Sequence, residues 1–104
     1  MRQSIENGEK TYLGTGHLTD SEYYELLAAE QRRKILDILP KASTPIELEE
    51  LAIAVATRER ETDAVEDELV ERVALQLHHM DLPKMDDFGV LNYDSVETRV
   101  RFDP

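Results

Sequence analysis

The segment from Ala64 to Met80 constrains the fold more than any other part of the chain, because it carries an apolar residue every three or four positions. The apolar positions are Val65, Leu69, Val73, Leu77 and Met80. This spacing predicts an amphipathic helix with one buried face. The predicted outward face carries Asp67, Glu68, Glu71, Leu75 and His78, and one flank carries Arg72, Gln76 and His79. The rest of the chain must therefore supply an apolar surface that covers one side of this helix.

An earlier helical segment covers "LTDSEYYELLAAEQRRKILDILP". Thr19, Asp20 or Ser21 can cap its start. The pattern also allows a break near Ala28–Glu30, which would leave one short helix and one longer helix. Pro40 ends the segment, because the residue before a proline is disfavoured in the helical conformation.

The middle of the chain, "KASTPIELEELAIAVATRERE", predicts a further helix. Ser43 or Thr44 can cap it, with Pro45 near its first position. Its buried side would comprise Ile46, Leu48, Leu51, Ala52 and Val55. The alternative for its start is a very short strand at Thr44–Ile46 that pairs with a later hairpin.

The end of the chain predicts that hairpin. Pro83 disturbs the long helix or starts a new turn, and Gly89 suits the left-handed position after a helix end. Val90, Leu91 and Tyr93 then predict one strand, Thr98–Phe102 predicts a second, and "DSVE" is the turn between them. The predicted fold class is mostly α with a small β-hairpin (α+β).

The domain boundaries follow from the same pattern. Residues 1–19 are polar, contain three of the four glycines and lack periodicity, so we expect a flexible N-terminal arm. Residues 20–104 then form one domain. No run is long and apolar enough to cross a membrane, and the first residues lack the apolar stretch of a secretory signal. We therefore expect a cytoplasmic protein.

The charge balance indicates a salty environment. The chain has 23 acidic and 12 basic residues, a formal charge of -11, and eight Arg against four Lys. Such an acidic, Lys-poor chain is typical of proteins adapted to a very salty cytoplasm; the alternative is an ordinary acidic protein that avoids nucleic acid. In dilute salt this charge would repel DNA, but at 1 M salt the Debye length is only about 3 Å and local contacts decide.

The order helix, helix, helix, hairpin resembles a winged helix-turn-helix domain, in particular the small winged-helix domains of unassigned function in halophilic archaea. The resemblance covers about Tyr23–Phe102. The residues that carry it are "LLAAEQRRKILDIL", "TPIELEELAIAVA", "ERVALQLHHMDLPKMDDFGVLNYD" and "ETRVRF". In such domains the third helix commonly enters the major groove of DNA and the hairpin, or wing, contacts the backbone or minor groove. The resemblance thus implies a small transcription regulator or accessory DNA-binding protein.

Five residues are candidates for DNA contact if the protein is a DNA-binding protein of this kind. Arg72, Gln76 and His79 lie on the flank of the third helix and offer the donors that DNA readers use. Arg99 and Arg101 alternate on the last strand and should point to the same side. Pairing of these arginines with Asp94, Glu97 or nearby acids is an equally good reading. The three carboxylates on the outer face of the helix do not favour DNA.

The rival hypothesis is a protein-interaction module without DNA contact. Under either hypothesis, size and resemblance favour a homodimer, and the aromatic, apolar first segment (Tyr23, Tyr24, Leu26, Leu27) is the expected apolar surface for it. Leu75 among the acids of the third helix is a second candidate contact. Fold alone does not choose between these functions.

Other chemistries find little support in the sequence. With no cysteine, the chain has no disulfide, thiolate metal site or cysteine nucleophile. His78 and His79 are adjacent and diverge on a helix, whereas a zinc site needs three or four converging ligands. "QRRK" at Gln31–Lys34 is the densest basic cluster, and pairing of Arg33 or Lys34 with Glu30 or Asp37 is the expected arrangement. "DFG" at Asp87–Gly89 lacks the other kinase motifs. We expect no enzyme activity, no cofactor and no metal.

The acidic composition generates a prediction about salt. Because surface carboxylates repel one another and salt screens them, the melting temperature should rise from low salt to molar potassium chloride. Thermal unfolding followed by circular dichroism across that range tests this. A melting temperature that stays flat or falls would contradict adaptation to salt.

Overall fold

The structure is a computed structural model that describes residues 12–60 and 65–104. It is mostly α-helical with a small antiparallel sheet, which confirms the predicted class. The elements are α1 (Asp20–Leu27), α2 (Glu30–Ile38), a 3₁₀ turn (Leu39–Lys41), β1 (Ile46–Glu47), α3 (Leu48–Arg60), α4 (Asp67–Gln76), a π-helical segment (Leu77–Asp81), α5 (Leu82–Asp87), β2 (Asn92–Asp94) and β3 (Arg99–Arg101).

The first helical segment is broken where the sequence allowed it. Thr19 caps α1 through a capping box, in which its hydroxyl accepts from the Glu22 amide and its own amide donates to the Glu22 carboxylate. Ala28 and Ala29 separate α1 from α2, and Ala29 provides no side-chain cap. The 3₁₀ turn that contains Pro40 ends α2 as predicted.

The start of α3 differs from one of the two predictions. No helix begins at Ser43 or Thr44, because the backbone of Ile46–Glu47 instead pairs with β3 as β1. This confirms the alternative of a very short strand. The amide of Leu48 donates to the carbonyl of Thr98 at 2.8 Å, so the sheet satisfies the first amide of α3. Leu51, Ala52 and Val55 are buried as expected, whereas Ile46 and Leu48 are only half-buried.

The long helix consists of α4, the π-helical segment and α5. It has the predicted buried face over its first half. Leu69, Val73 and Leu77 are buried. The predicted position of Met80 on that face is wrong, since its side chain is 62% exposed. The reason is the π-helical segment, in which the Leu82 amide donates to the Leu77 carbonyl five residues earlier. This wider turn rotates Met80 outward and brings Asp81 and Leu82 to the core side. Ala64 lies outside the described residues.

Asp81 is a buried carboxylate, 2% exposed, that joins the long helix to α2. Its two oxygens accept from Gln31 Nε2 at 2.6 Å and from Arg32 Nη1 at 3.1 Å. Arg32 also donates from Nε to the carbonyl of Leu26 and from Nη2 to the carbonyl of Glu25, at the C-terminal end of α1. One ion pair therefore connects α1, α2 and the π-helical segment.

The chain then turns into the hairpin. Pro83 lies in the first turn of α5, and Gly89 has φ of +71°, as its position after the helix predicts. Val90 and Leu91 are buried but precede the strand, which begins at Asn92 rather than at Val90. They pack under the hairpin instead of pairing within it.

The three strands form one sheet in the order β1–β3–β2. Val100 is the central residue, opposite Ile46 on one side and Tyr93 on the other. Its side chain is fully buried, so the sheet packs one face on the helices. Because β1 lies between α2 and α3, this pairing fixes the hairpin to the helical core.

The segment predicted as a flexible arm is only partly described. Residues 1–11 lie outside the described residues, but residues 12–19 pack on the domain. Leu18 and Thr15 are buried, and His17 Nε2 lies 2.7 Å from the carbonyl oxygen of Phe88. Gly14, at φ of +85°, lies against the ring of Phe102. The domain thus includes residues that the sequence pattern assigned to the arm.

The burial pattern of the long helix predicts a contrast between two leucines two residues apart. Leu77→Ala should lower the free energy of unfolding by about 2–5 kcal/mol, because Leu77 is fully buried. Leu75→Ala should change it by less than about 0.5 kcal/mol, because Leu75 is 55% exposed. Urea unfolding of both variants measures this, and equal losses would contradict the helical phase.

The buried ion pair predicts a second contrast. Asp81→Ala leaves the Arg32 guanidinium without its carboxylate and should cost about 3–5 kcal/mol. The matched control is Asp37→Ala, which removes an exposed carboxylate 3.6 Å from Arg58 and should cost about 0–1 kcal/mol. Denaturant melts in the same buffer compare them. A loss at Asp81 no larger than at Asp37 would show that the pair contributes little.

Candidate functional site

The outward face of α4 has the composition that its spacing predicts. Its exposed side chains are Asp67, Glu68, Glu71 and Leu75. The face lies open to solvent, and its residues Asp67 and Glu71 also border a groove between α3 and α4. The centre of the face is an exposed leucine bordered by carboxylates.

The flank of the long helix supplies the unpaired donors. Arg72 and Gln76 on α4 are exposed, with no hydrogen bond or ion pair to other described residues. His79 is also exposed, and its ring lies edge-on to His78 with centroids 4.8 Å apart. These are the three residues of the helix predicted to contact DNA, and the structure leaves all three accessible.

His78 does not lie on the outward face as predicted. It is half-buried, and its Nδ1 lies 2.6 Å from the hydroxyl of Tyr93 in β2. Partial burial, and in second place the negative charge of Asp94, raises the pKa of Tyr93 above its ordinary value. The hydroxyl can donate to Nδ1 or accept from it, and the tautomer of the imidazole decides which. Since the Tyr93 amide donates to Asp86 at 2.9 Å, two bonds join the hairpin to the long helix.

The two arginines of β3 point to the same side, but they are not equivalent. Both are exposed while Val100 between them is buried. Arg99 Nε donates to the Glu47 carboxylate in β1 at 2.9 Å. Arg101 has no ion pair with any described residue. The pairing that the sequence offered as the alternative to DNA contact thus occurs at Arg99, with Glu47 as the partner, and Arg101 stays available.

The hairpin loop carries no positive charge. Its residues are Ser95, Val96, Glu97 and Thr98, and the Asp94 carboxylate accepts from the amides of Val96 and Glu97. Val96 is 87% exposed. Thr98 has φ of +54°, where a β-branched residue is strained. The tip of the hairpin is therefore rigidly built but acidic.

Four of the five predicted DNA contacts line two separate depressions, and His79 borders neither of them. One lies along the sheet and contains Arg99 and Arg101 together with three acids, Asp86, Asp94 and Glu97. The other lies between α2, α3 and α4 and contains Arg72 and Gln76. The sequence treated these residues as one set, and the structure divides them between the sheet and the helix flank.

The second depression includes a residue that sequence reasoning missed. Arg60 lines it, at the last position of α3. The charged run "RERETDA" overlaps the end of the helix predicted in the middle of the chain and is typical of a connection, so the sequence pattern assigns Arg60 to no helix face. Extending the helical spacing of α3 to Arg60 would have identified it.

Most other cations of the described residues have partners. The basic cluster in α2 is used internally: Arg32 binds Asp81, Arg33 donates to the carbonyl of Leu27, and Lys34 lies 3.5 Å from Glu30. Lys84 binds Glu25 at 2.6 Å, and this hydrogen bond, reinforced by the Lys84 charge, lowers the pKa of the Glu25 carboxyl. Among residues 12–60 and 65–104, the cations without an ion pair or hydrogen bond are Lys41, Arg60, Arg72 and Arg101.

The predicted apolar contact surface on α1 needs correction. Tyr23 is 9% exposed and Leu26 is fully buried, so both belong to the core rather than to a partner surface. Leu27 is half-buried, and Tyr24 is 70% exposed. Tyr24 is therefore the accessible member of that set. The helical phase explains the difference, because Tyr23 and Leu26 share the inward side of α1.

A further groove was not predicted. It lies between α3 and α4 beside the hairpin loop, has a volume of about 530 Å³, and is bordered by Leu48, Ile53, Val70 and Ala74 with acids at its rim. Ile53 is 43% exposed. The helical spacing of α3 places Ile53 away from the buried side, and this spacing was the sequence signal for an exposed apolar residue there.

The described residues contain neither a group of metal ligands nor a helix that could span a membrane. In 12–60 and 65–104, no three His, Asp or Glu side chains group closely enough to hold a metal ion. Within the same ranges, the helices are too short or too polar to reach across a bilayer.

The described residues thus form a small α+β domain that presents an exposed helix and a short hairpin beside it. A family described as a domain of unknown function, DUF7344, matches residues 24–101, and the chain belongs to this family. The match begins within α1 and ends at the last residue of β3. Comparison with curated proteins and with solved structures gave no match.

Proposed function

We propose that the protein is a winged helix-turn-helix DNA-binding protein, a small transcription regulator or accessory factor in the cytoplasm of a salt-adapted, archaeal organism. The observation that carries the proposal is the sheet order. The short strand β1, between the first and second core helices α2 and α3, pairs with the last strand of the hairpin that follows the long helix. This pairing supports the proposal, because the winged helix-turn-helix domains that the sequence resembles likewise have a hairpin beside their helices.

The unpaired donors support DNA as the ligand. In a chain with nearly twice as many acids as bases, an exposed arginine readily finds a carboxylate. Arg72 and Arg101 nevertheless have no such partner in the described residues, and Gln76 lies one helical turn from Arg72. Arginine and glutamine are the side chains that contact guanine, adenine and phosphate most often.

A protein-interaction module, acting through a homodimer, is the second candidate. The observation that favours it is the pair of exposed apolar side chains on the long helix, Leu75 and Met80, which are 55% and 62% exposed. Acidic residues surround Leu75, and they would oppose the phosphates of DNA; between two copies of the helix the same charges repel, and molar salt screens that repulsion. In this case the protein would bind a second copy of itself through the long helix, and DNA would play no part.

A salt series with single arginine variants tests the DNA proposal. Wild-type protein should bind a labelled mixed-sequence duplex at intermediate salt, measured by fluorescence anisotropy. Arg101→Ala should reduce the slope of log Kd against log salt by about 0.9, the value for one phosphate contact. Arg99→Ala is the matched control and should change it less, because Glu47 already pairs with Arg99.

The double variant Arg99→Ala/Arg101→Ala extends this test, since it should weaken binding to many sequences alike. DNA binding that is unchanged in the double variant would remove the hairpin as the contact while leaving DNA binding itself. Wild-type protein without DNA affinity at any salt concentration would overturn the proposal. The second candidate then requires that Leu75→Glu converts a dimer to a monomer in sedimentation velocity.

A further inference from the structure

The depression between α2, α3 and α4 combines the properties of an anion site. It is bordered by Gln31 from α2, Glu59 and Arg60 from α3, and Leu69, Arg72, Val73 and Gln76 from α4. Its volume is about 250 Å³, which is below the roughly 300–1,000 Å³ of sites for drug-sized ligands. The size suits a single charged group rather than an extended cofactor.

Two of the four unpaired cations of the described residues, Arg60 and Arg72, border this one depression. The guanidinium groups come from different helices, so the fold and not the local sequence brings them to one place. A planar guanidinium can give two parallel hydrogen bonds to the oxygens of a phosphate. Two such groups around one depression match an anion with several oxygens.

The surroundings strengthen the site. Leu69 and Val73 are buried, 5% and 3% exposed, and they border the depression with apolar surface. The Gln31 amide is held in place because its Nε2 donates to Asp81, and the Asp81 charge is balanced by Arg32. Gln76 adds a further amide donor.

One residue opposes the assignment. The carboxylate of Glu59 also borders the depression and repels an anion. It makes no ion pair or hydrogen bond with the other described residues. Its removal should therefore improve anion binding, which gives the test a variant that acts in the opposite direction.

We propose that Arg60 and Arg72, with the amides of Gln31 and Gln76, bind a single phosphate group. For duplex DNA this assignment rests on the proposed function, and the phosphate is then a backbone phosphodiester beside the long helix. If the ligand is free phosphate, the assignment is independent of the proposed DNA-binding function. The two sources share the same oxyanion chemistry, and the experiment separates them.

The first arm uses inorganic phosphate. The full chain, labelled with ¹⁵N, is titrated with potassium phosphate at constant ionic strength, with potassium chloride as the reference titration. The Nε–Hε signals of Arg60 and Arg72 should shift in a saturable way with phosphate and not with chloride. Arg60→Gln or Arg72→Gln should abolish saturation, and Glu59→Gln should tighten binding. Arg58→Gln is the matched control, because Arg58 lies on the same helix but pairs with Asp37 outside the depression.

The second arm uses a duplex of mixed sequence. Arg60→Gln and Arg72→Gln should each weaken binding by up to about tenfold at 0.1 M salt and reduce the salt slope by up to about 0.9. Because both arginines hold the same phosphate, the double variant should also reduce the slope by about one unit rather than two, and the two effects should not add. A reduction of two units would mean two independent contacts and would overturn the shared site.

The outcomes separate the two proposals. Saturable phosphate binding without DNA binding at any salt would support the site and overturn the DNA function. DNA binding that is unchanged by both arginine variants, together with no saturable shift in phosphate, would overturn the site and leave the DNA function. Shifts that are linear in phosphate, or a loss of saturation in the Arg58→Gln control equal to that in the Arg60→Gln and Arg72→Gln variants, would also overturn the site. Circular dichroism melts of each variant establish that the fold is retained.

Discussion

The ion pair between Arg32 and Asp81 is the interaction on which the arrangement of helices depends. The Asp81 side chain is 3% exposed, and a carboxylate buried to this degree requires both a counter-charge and hydrogen bonds. Arg32 supplies the charge and Gln31 a second donor. The same guanidinium satisfies two terminal carbonyls of α1, which a helix end otherwise leaves without partners. The angle between α1, α2 and the long helix is therefore fixed by a polar contact inside an apolar core.

Burial of Asp81 in turn depends on the π-helical segment. In a regular α-helix the apolar stripe through Leu69, Val73 and Leu77 would continue to Met80. The wider turn at Leu77–Asp81 shifts the phase, so that Leu82 and Met85 continue the core and Met80 and His79 face solvent. It also sets the half-buried position of His78, where the ring meets Tyr93 of the hairpin. Segments of this kind are frequent at functional sites, and here the segment adjoins the flank that carries Arg72 and Gln76.

Local signals were enough to predict the local elements. The cap at Thr19, the break at Ala28, the stop at Gly89 and the buried face of α4 all follow from short-range chemistry. The errors arise where distant residues decide. The helix start expected at Ser43 or Thr44 was wrong because Ile46–Glu47 pairs as a strand with β3, more than fifty residues away, as the alternative prediction allowed. Met80 was misplaced because the partner of Asp81 lies in α2, and no periodicity in the sequence reveals an ion pair at that separation.

The candidate site also depends on residues that are distant in the sequence. Its charges explain how an acidic chain can still present unpaired cations. Six of the ten described Lys and Arg side chains bind carboxylates or helix-end carbonyls. The other four, which include Arg60 and Arg72, have no such partner among the described residues. At low salt the net charge of -11 would repel a polyanion before these contacts form. At 1 M salt the Debye length is only about 3 Å, so the long-range repulsion disappears while contacts at hydrogen-bond distance persist. An acidic surface with a few unpaired arginines therefore restricts anion binding to groups that reach the arginines directly.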